Sequence, residues 1–365
     1  MKFNVKNLEF NTDCKHFKGD IPCKFHKLDG RKCPCKDFIK IDKRIVVIKI
    51  GAIGDVIRTT PLLRIIKKKY PNSEITWLTN NPEILPSLVD CPLEFNKGNV
   101  VQLLADKFDI LYNLDKDEIA CSLANLVQAD IKKGFRLHNG RCFPINQSAT
   151  HKWLTGLDDD LNKKNRKSYP EEIFEICGFR FNKEKYVLDL PDFSKVSFKF
   201  SKLKHPVIGL NTGCGIRWQT RLWPEENWIE LAKKLKEKNF EVVLLGGEQE
   251  DKKNKKIAKN SKAKYFGYFP LNDFIYLVNQ CDLIVTGATM ALHIAIGLDK
   301  NIILLNNIFN KNEFELYGLG EVIEPDINCV GCYKQQFDER CKVKNCMKLI
   351  TVSDVYNKII KWIKE

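Results

Sequence analysis

The sequence predicts an α/β protein made of two units, each built around a parallel sheet, and three observations carry that prediction. Residues 45–48, Ile-Val-Val-Ile, form a continuous β-branched run followed by a loop bracketed by Gly51 and Gly54 and then a helical segment. The same order restarts at 207–211, with a second glycine-rich loop and a second helix. A length of 365 residues allows two domains of ordinary size, each with its own core.

In chain order, residues 1–43 come first as a polar extension carrying Cys14, Cys23, Cys33 and Cys35, with His16 and His26 between them. Cys23-x2-His26 and Cys33-x-Cys35 could close a Cys3His site, with Cys14 or His16 as a substitute ligand. A metal is the expected stabiliser, because so polar a segment has little apolar area to hold itself together. The 45–48 run then suits a strand buried on both faces. In the loop after it, the glycines permit positive φ and close approach of a ligand. Asp55 opens the following helix. An acid there is favoured by roughly 0.3–1 kcal/mol, which makes it a capping residue on one account. On the other it is a general base, since open α/β sheets place their chemistry at the carboxyl ends of strands. Pro61, about two turns on, predicts a kink.

A strand is expected at 74–78, a short helix at 82–89, a strand at 108–114 and a helix at 117–128. Residues 134–190 are polar and weakly periodic. They predict surface loops and short helices, or else a basic rim in which Arg136 and Arg141 meet acceptor phosphates. After a linker at 191–206, the second unit begins with a strand at 207–211, the loop Thr212-Gly213-Cys214-Gly215 and a helix opening at Trp223-Pro224. Backbone N–H groups of such a loop can cradle a phosphate, and Arg217 and Arg221 can add charge. Strands at 241–245 and 282–286 flank a helix at 271–280, and 352–364 reads as a closing amphipathic helix with Val355, Ile359 and Ile363 on one stripe. Before it stand Cys329-x2-Cys332-x8-Cys341-x4-Cys346, a spacing that predicts a closed zinc or iron site over 329–350.

The chain has 60 Lys and Arg against 46 Asp and Glu, a formal charge of +14. That balance points to an acidic partner, with an anionic membrane surface ranked above nucleic acid because few aromatics are interleaved with the lysine runs. No apolar run is long enough to span a bilayer and no leader is evident. A cytoplasmic protein, peripheral on the membrane's inner face, is therefore expected. Its 14 cysteines in a reducing compartment favour metal thiolates over disulfides.

Gly51-Ala52-Ile53-Gly54-Asp55-Val56, Thr59-Thr60-Pro61, Tyr70-Pro71 and Trp77-Leu78 together resemble the opening of the lipopolysaccharide heptosyltransferases, glycosyltransferase family 9. The resemblance runs over residues 44–365 and implies the GT-B fold, two facing Rossmann-like domains. The acceptor domain would span 44–192 and the nucleotide-sugar domain 205–328. It implies Asp55 as the base and Gly51 and Ala52 beside the acceptor. Thr212, Gly213, Arg217, Arg221, Glu248, Thr289 and His293 would hold the donor, with Glu248 on the ribose. No catalytic metal is implied. The expected reaction is inverting transfer of heptose or a related sugar, ADP-linked in the family's manner, to a lipopolysaccharide-core or other cell-surface glycan. Ala288 and Met290 replace an acid and a glycine of the family's pattern, which should alter the sugar held. The cysteine spacing, with the Cys-Met-Lys-Leu-Ile-Thr after it, resembles the iron finger of autotransporter heptosyltransferases. The alternatives are a protein-modifying heptosyltransferase, a non-catalytic metal-stabilised binding protein, and an RNA-binding protein.

Overall fold

The computed structural model describes residues 2–5, 8–192, 194, 196, 203–215, 218–339, 341 and 343–364. The chain opens with β1 (Lys2–Val5), β2 (Leu8–Asn11) and α1 (Lys24–Asp29), followed by β3 (Arg44–Ile48), α2 (Ile53–Ile57) and α3 (Pro61–Lys69). Next come β4 (Glu74–Thr79), β5 (Cys91–Glu94), α4 (Lys97–Ala105), β6 (Lys107–Asn113), α5 (Glu118–Leu126), β7 (Gln128–His138) and β8 (Arg141–Pro144). Three helices follow, α6 (Thr150–Leu154), α7 (Asp159–Lys164) and α8 (Tyr169–Cys177). The remainder is β9 (Val207–Asn211), α9 (Glu225–Glu237), β10 (Glu241–Leu245), α10 (Asp251–Ser261), α11 (Leu271–Asn279), β11 (Leu283–Gly287), α12 (Met290–Gly297), β12 (Asn301–Leu305), β13 (Gly320–Ile323) and α13 (Val352–Lys364).

Two compact units result: Met1–Ala52 with Pro61–Thr150 and Ile173–Phe179, and Ile53–Thr60 with His151–Glu172 and Arg180–Glu365. The division therefore differs from one placed in the 191–206 linker, half of whose residues lie outside those described. The segment carrying Asp55 groups with the second sheet.

The first unit holds a six-stranded sheet in the order β5-β4-β3-β6-β7-β8, parallel except for the β7–β8 hairpin. Ile45, Val46, Val47 and Ile48 of β3 are completely buried, as an unbroken apolar run in a central parallel strand requires. Val46 and Ile48 pack with Leu103 of α4 and Leu123 of α5. The hairpin occupies part of the region expected to be loops. Its strand β7 has a weak pattern because few of its side chains face the core, Phe135 among them. Gly134 holds φ at +103° there, and a Cβ on it would lie 1.8 Å from the Asn113 carbonyl oxygen. Over 82–89 only a short turn forms, Pro82–Ile84. Pro86 forces Leu85 into an extended conformation and stops it.

Pro61 breaks the helix rather than kinking it, and stands at the first position of α3, where its missing N–H costs nothing. The Thr59 hydroxyl donates to the Asp55 carbonyl at 2.7 Å and that of Thr60 to Ile57 at 2.7 Å, so the end of α2 keeps its acceptors satisfied.

The N-terminal extension is tied to the first unit by polar contacts. Lys15 Nζ reaches Asp90 at 2.7 Å and the Ser73 carbonyl at 3.2 Å, and the Asn72 N–H donates to the Asp42 carboxylate at 3.2 Å. Among the described residues of 9–43, Asn11 is the buried one.

The second unit holds a five-stranded parallel sheet, order β10-β9-β11-β12-β13. Trp228, Leu231 and Leu235 of α9 share its core with Val242, Leu244, Leu283 and Val285. Val355 and Ile359 of α13 join the same core, so the closing helix spends its apolar stripe on the second sheet.

Candidate active site

Two features of the second unit meet around α12: the short helix α2 and the glycine-rich loop after β9. The fit of α2 depends on Gly54, where a Cβ would come 2.7 Å from Cδ2 of His293 on α12. His293 is buried, with its Nδ1 3.4 Å from the Tyr186 hydroxyl. Burial, reinforced by nearby Arg58, lowers its pKa to about 3, so the ring is a neutral floor beneath α2. Asp55 stands in the first turn of α2 with its side chain 36% exposed, and Arg58 Nη2 meets its Oδ1 at 2.7 Å.

The loop begins where Asn211 ends β9. Asn211 Nδ2 donates to the hydroxyls of Thr286 at 2.9 Å and Thr289 at 3.1 Å, which couples the strand end to the N-cap of α12. The Thr212 hydroxyl donates to Asn254 at 2.6 Å, and the Thr212 carbonyl accepts from Lys253 Nζ at 2.7 Å. Burial pulls Lys253 below the ordinary lysine value, with Glu250 opposing it. Glu250 folds back over the loop and accepts from the Gly247 N–H at 2.9 Å. A Cβ on Gly213 would lie 2.2 Å from the Glu250 carboxyl carbon, so the glycine makes room for that carboxylate. The arrangement offers backbone donors and one ammonium next to a carboxylate, a set suited to a phosphate and a hydroxylated ring.

The residues singled out from sequence are placed as follows. Arg221 is buried, and its guanidinium donates to the carbonyls of Cys214, at 2.7 Å, and Ala288. These two bonds join the glycine loop to the start of α12, and burial lowers the pKa of Arg221. The hydroxyls of Thr212 and Thr289 are engaged within the protein, and His293 is internal. Glu248 is exposed, while Glu250, two residues on, turns toward the loop. Arg217 lies outside the described residues. Arg136 and Arg141 are exposed on the β7–β8 hairpin of the first unit. In that unit Gly51 N–H donates to Asp115 at 3.1 Å, and Ala52 is exposed. Arg58, Glu250 and Lys253 were missed. A three-residue offset from Asp55 was a usable signal for Arg58. Lys253 sits in a lysine run that looks like any solvated helix face.

The cysteine groups require a correction. Among the described residues no three His, Cys, Asp or Glu side chains stand where they could hold a metal ion. At the N-terminus Cys14, Cys23, Cys33 and Cys35 are free thiols, and His26 Nδ1 is 2.9 Å from the Arg31 carbonyl oxygen. Polar contacts with the rest of the first unit also hold this segment. Cys329, Cys332, Cys341 and Cys346 do line one cavity of about 50 Å³.

Similarity to known proteins agrees with this architecture. Residues 100–343 match the glycosyltransferase family 9 (heptosyltransferase) model. Lipopolysaccharide heptosyltransferase 2 of Salmonella typhimurium is 29% identical over 306 residues, covering 72% of this chain and 82% of that protein. The structure of the E. coli ADP-heptose lps heptosyltransferase II superposes with a TM-score of 0.65 at 17% identity, over 88% of this chain and 98% of that one. The iron-containing dodecameric glycosyltransferase TibC of enterotoxigenic E. coli gives a TM-score of 0.56 at 14% identity, over 90% and 81%.

Proposed function

Because the chain belongs to glycosyltransferase family 9 and is a glycosyltransferase, we propose that it moves heptose or a related sugar from an ADP-linked donor to a lipopolysaccharide-core or other cell-surface glycan. The observation that carries this reading is the position of α2. A half-exposed carboxylate in its first turn is seated on α12, and the N-cap of α12 is bonded to the strand end that opens the phosphate-type loop. In this scheme Asp55 removes the proton from an acceptor hydroxyl as that oxygen attacks the anomeric carbon. The bond to the diphosphate breaks on the opposite face, which inverts the centre. Charge gathering on the departing diphosphate is met by the N–H groups of 213–215 and by Lys253, and Glu250 accepts hydrogen bonds from the ribose. No catalytic metal is needed for these steps.

The donor is tested by titrating the protein with ADP, UDP, GDP and CMP and then with ADP-heptose. Saturable binding of ADP, kept or tightened when heptose is attached, is the expected result, followed by transfer to heptose-deficient lipopolysaccharide. Binding of a different diphosphate would replace ADP in this scheme, and binding of none would remove the donor site. Among the described residues no helix is long and apolar enough to cross a membrane. With a formal charge of +14, the cytoplasmic protein would dock on an anionic membrane face where such acceptors are built, without nucleic acid as a partner.

The cysteine cavity belongs to the same proposal as a structural zinc or iron site. Cys346 accepts from Asn307 Nδ2 at 3.2 Å and Cys341 from Lys334 Nζ at 3.8 Å, the kind of N–H donation that metal-bound thiolates receive. Bound there, a metal would cross-link 329–346. Anaerobically purified protein is expected to carry about one zinc or iron per chain by elemental analysis, and less than about 0.3 would reject the site.

A further inference from the structure

Resting on the reading of Asp55 as the base, we propose that Arg58 is its positioning residue, the middle of a Glu313–Arg58–Asp55 chain that holds the carboxylate where it can act. The geometry is closed on every side. Arg58 Nη2 meets Asp55 Oδ1 at 2.7 Å, its Nη1 lies 3.6 Å from Glu313 Oε2, and its guanidinium carbon sits 3.6 Å from the centre of the Tyr169 ring. Glu313 is itself fixed, since the Tyr333 hydroxyl donates to its Oε1 at 3.0 Å.

The groups facing Arg58 are Asp55 on its own helix, Tyr169 on α8, Glu313 on the turn Lys311–Glu313, and Tyr186 and His293, with Glu315 beside Tyr186. Burial pushes Tyr186 above the usual phenol range and His293 down to about 3, so both are neutral at working pH. Asp55 and Glu313 are thus the charges that Arg58 answers. Burial opposes the guanidinium charge, but Asp55, with Tyr169 and Glu313, outweighs it and holds Arg58 above its ordinary value. Arg58 remains a cation throughout the working range.

A structural filler would be replaceable by any side chain of its size. Arg58 spans two carboxylates and stacks on a ring, a combination that needs a planar fork and not a point charge. Its Nε, buried and without a hydrogen-bond partner in the structure, shows that the side chain is placed for the carboxylates at the cost of one donor.

The test compares wild type with Arg58→Met, Arg58→Lys and Glu313→Gln, using ADP-heptose and heptose-deficient lipopolysaccharide. The Asp55 carboxyl is also titrated by ¹³C NMR, assigned with Asp55→Asn. For Arg58→Met the expected result is a fall in kcat of about 10²-fold with KM for ADP-heptose within about threefold. The acid limb of the kcat–pH profile and the Asp55 titration both move up by at least about one pH unit. Arg58→Lys keeps the charge and loses the fork, so it restores most of the titration but leaves kcat down by about tenfold. Glu313→Gln costs a few-fold in kcat.

A folded Arg58→Met protein with an unchanged Asp55 titration, or with an unchanged kcat, overturns the inference. Should Arg58→Met not fold, wild-type kcat in Arg58→Lys overturns it instead. Wild-type protein that transfers no sugar would end the reading of Asp55 as a base. The NMR titration would still decide whether Arg58 governs that carboxyl.

Discussion

Asp55→Asn is expected to lower kcat by about 10²–10⁴-fold while ADP-heptose affinity stays within about threefold. The amide matches the carboxylate in shape and keeps one oxygen for Arg58, so α2 should hold its place against His293. What the amide cannot do is take a proton from an attacking hydroxyl. The loss should therefore fall on the chemical step, with donor binding spared because the loop at 212–215 is untouched. Initial rates under saturating donor, together with calorimetric titration of ADP-heptose, separate the two quantities. A variant retaining more than about a tenth of the wild-type kcat would remove Asp55 from the base role.

Arg221→Met should have the next largest effect, and of a different kind. The guanidinium donates to the Cys214 and Ala288 carbonyls and lies 5.2 Å from the centre of the Phe309 ring. Methionine would still pack there but would leave two acceptors without these donors, at about 1–3 kcal/mol each where water cannot reach them. Chemical denaturation should show the lost stability, and ADP affinity should fall by at least about tenfold as the loop's N–H groups lose their fixed direction. The two readouts together discriminate. Had Arg221 served the diphosphate directly, its removal would weaken ADP without lowering stability. A variant as stable as wild type would therefore overturn its role as a tie between loop and helix.

How far each residue could be read in advance follows from how local its signal is. Ile45 to Ile48 announced a central strand because four consecutive β-branched or aliphatic residues have to be covered on both faces, whatever surrounds them. Strand β7 did not, because it pairs with β6 along an edge where most of its side chains face outward. The place of Asp55 after a glycine loop was legible, whereas the groups that hold its partner Arg58 come from positions 169 and 313 in the chain. Glu248 and Glu250 are the same residue type and almost adjacent, yet it is Glu250 that turns back to accept from the Gly247 N–H. The cysteine spacing at 329–346 brought four thiols to one cavity, yet spacing alone could not say whether they close into a coordination shell.

By itself the sequence determined that this is an α/β protein with two parallel sheets, where the strands and glycine loops lie, and which carboxylate opens the helix after β3. Those features depend on the chain's near neighbours, through periodicity, burial demand and the freedom of glycine. Only the tertiary structure decided that the Asp55 helix groups with the second unit, that Arg221 is spent on two carbonyls, and that Arg58 links two carboxylates. Each of these includes a contact between residues far apart in the chain: Gly54 with His293, Arg221 with Ala288, and Arg58 with Glu313. Its existence depends on which face packs against which, and no local pattern records that choice.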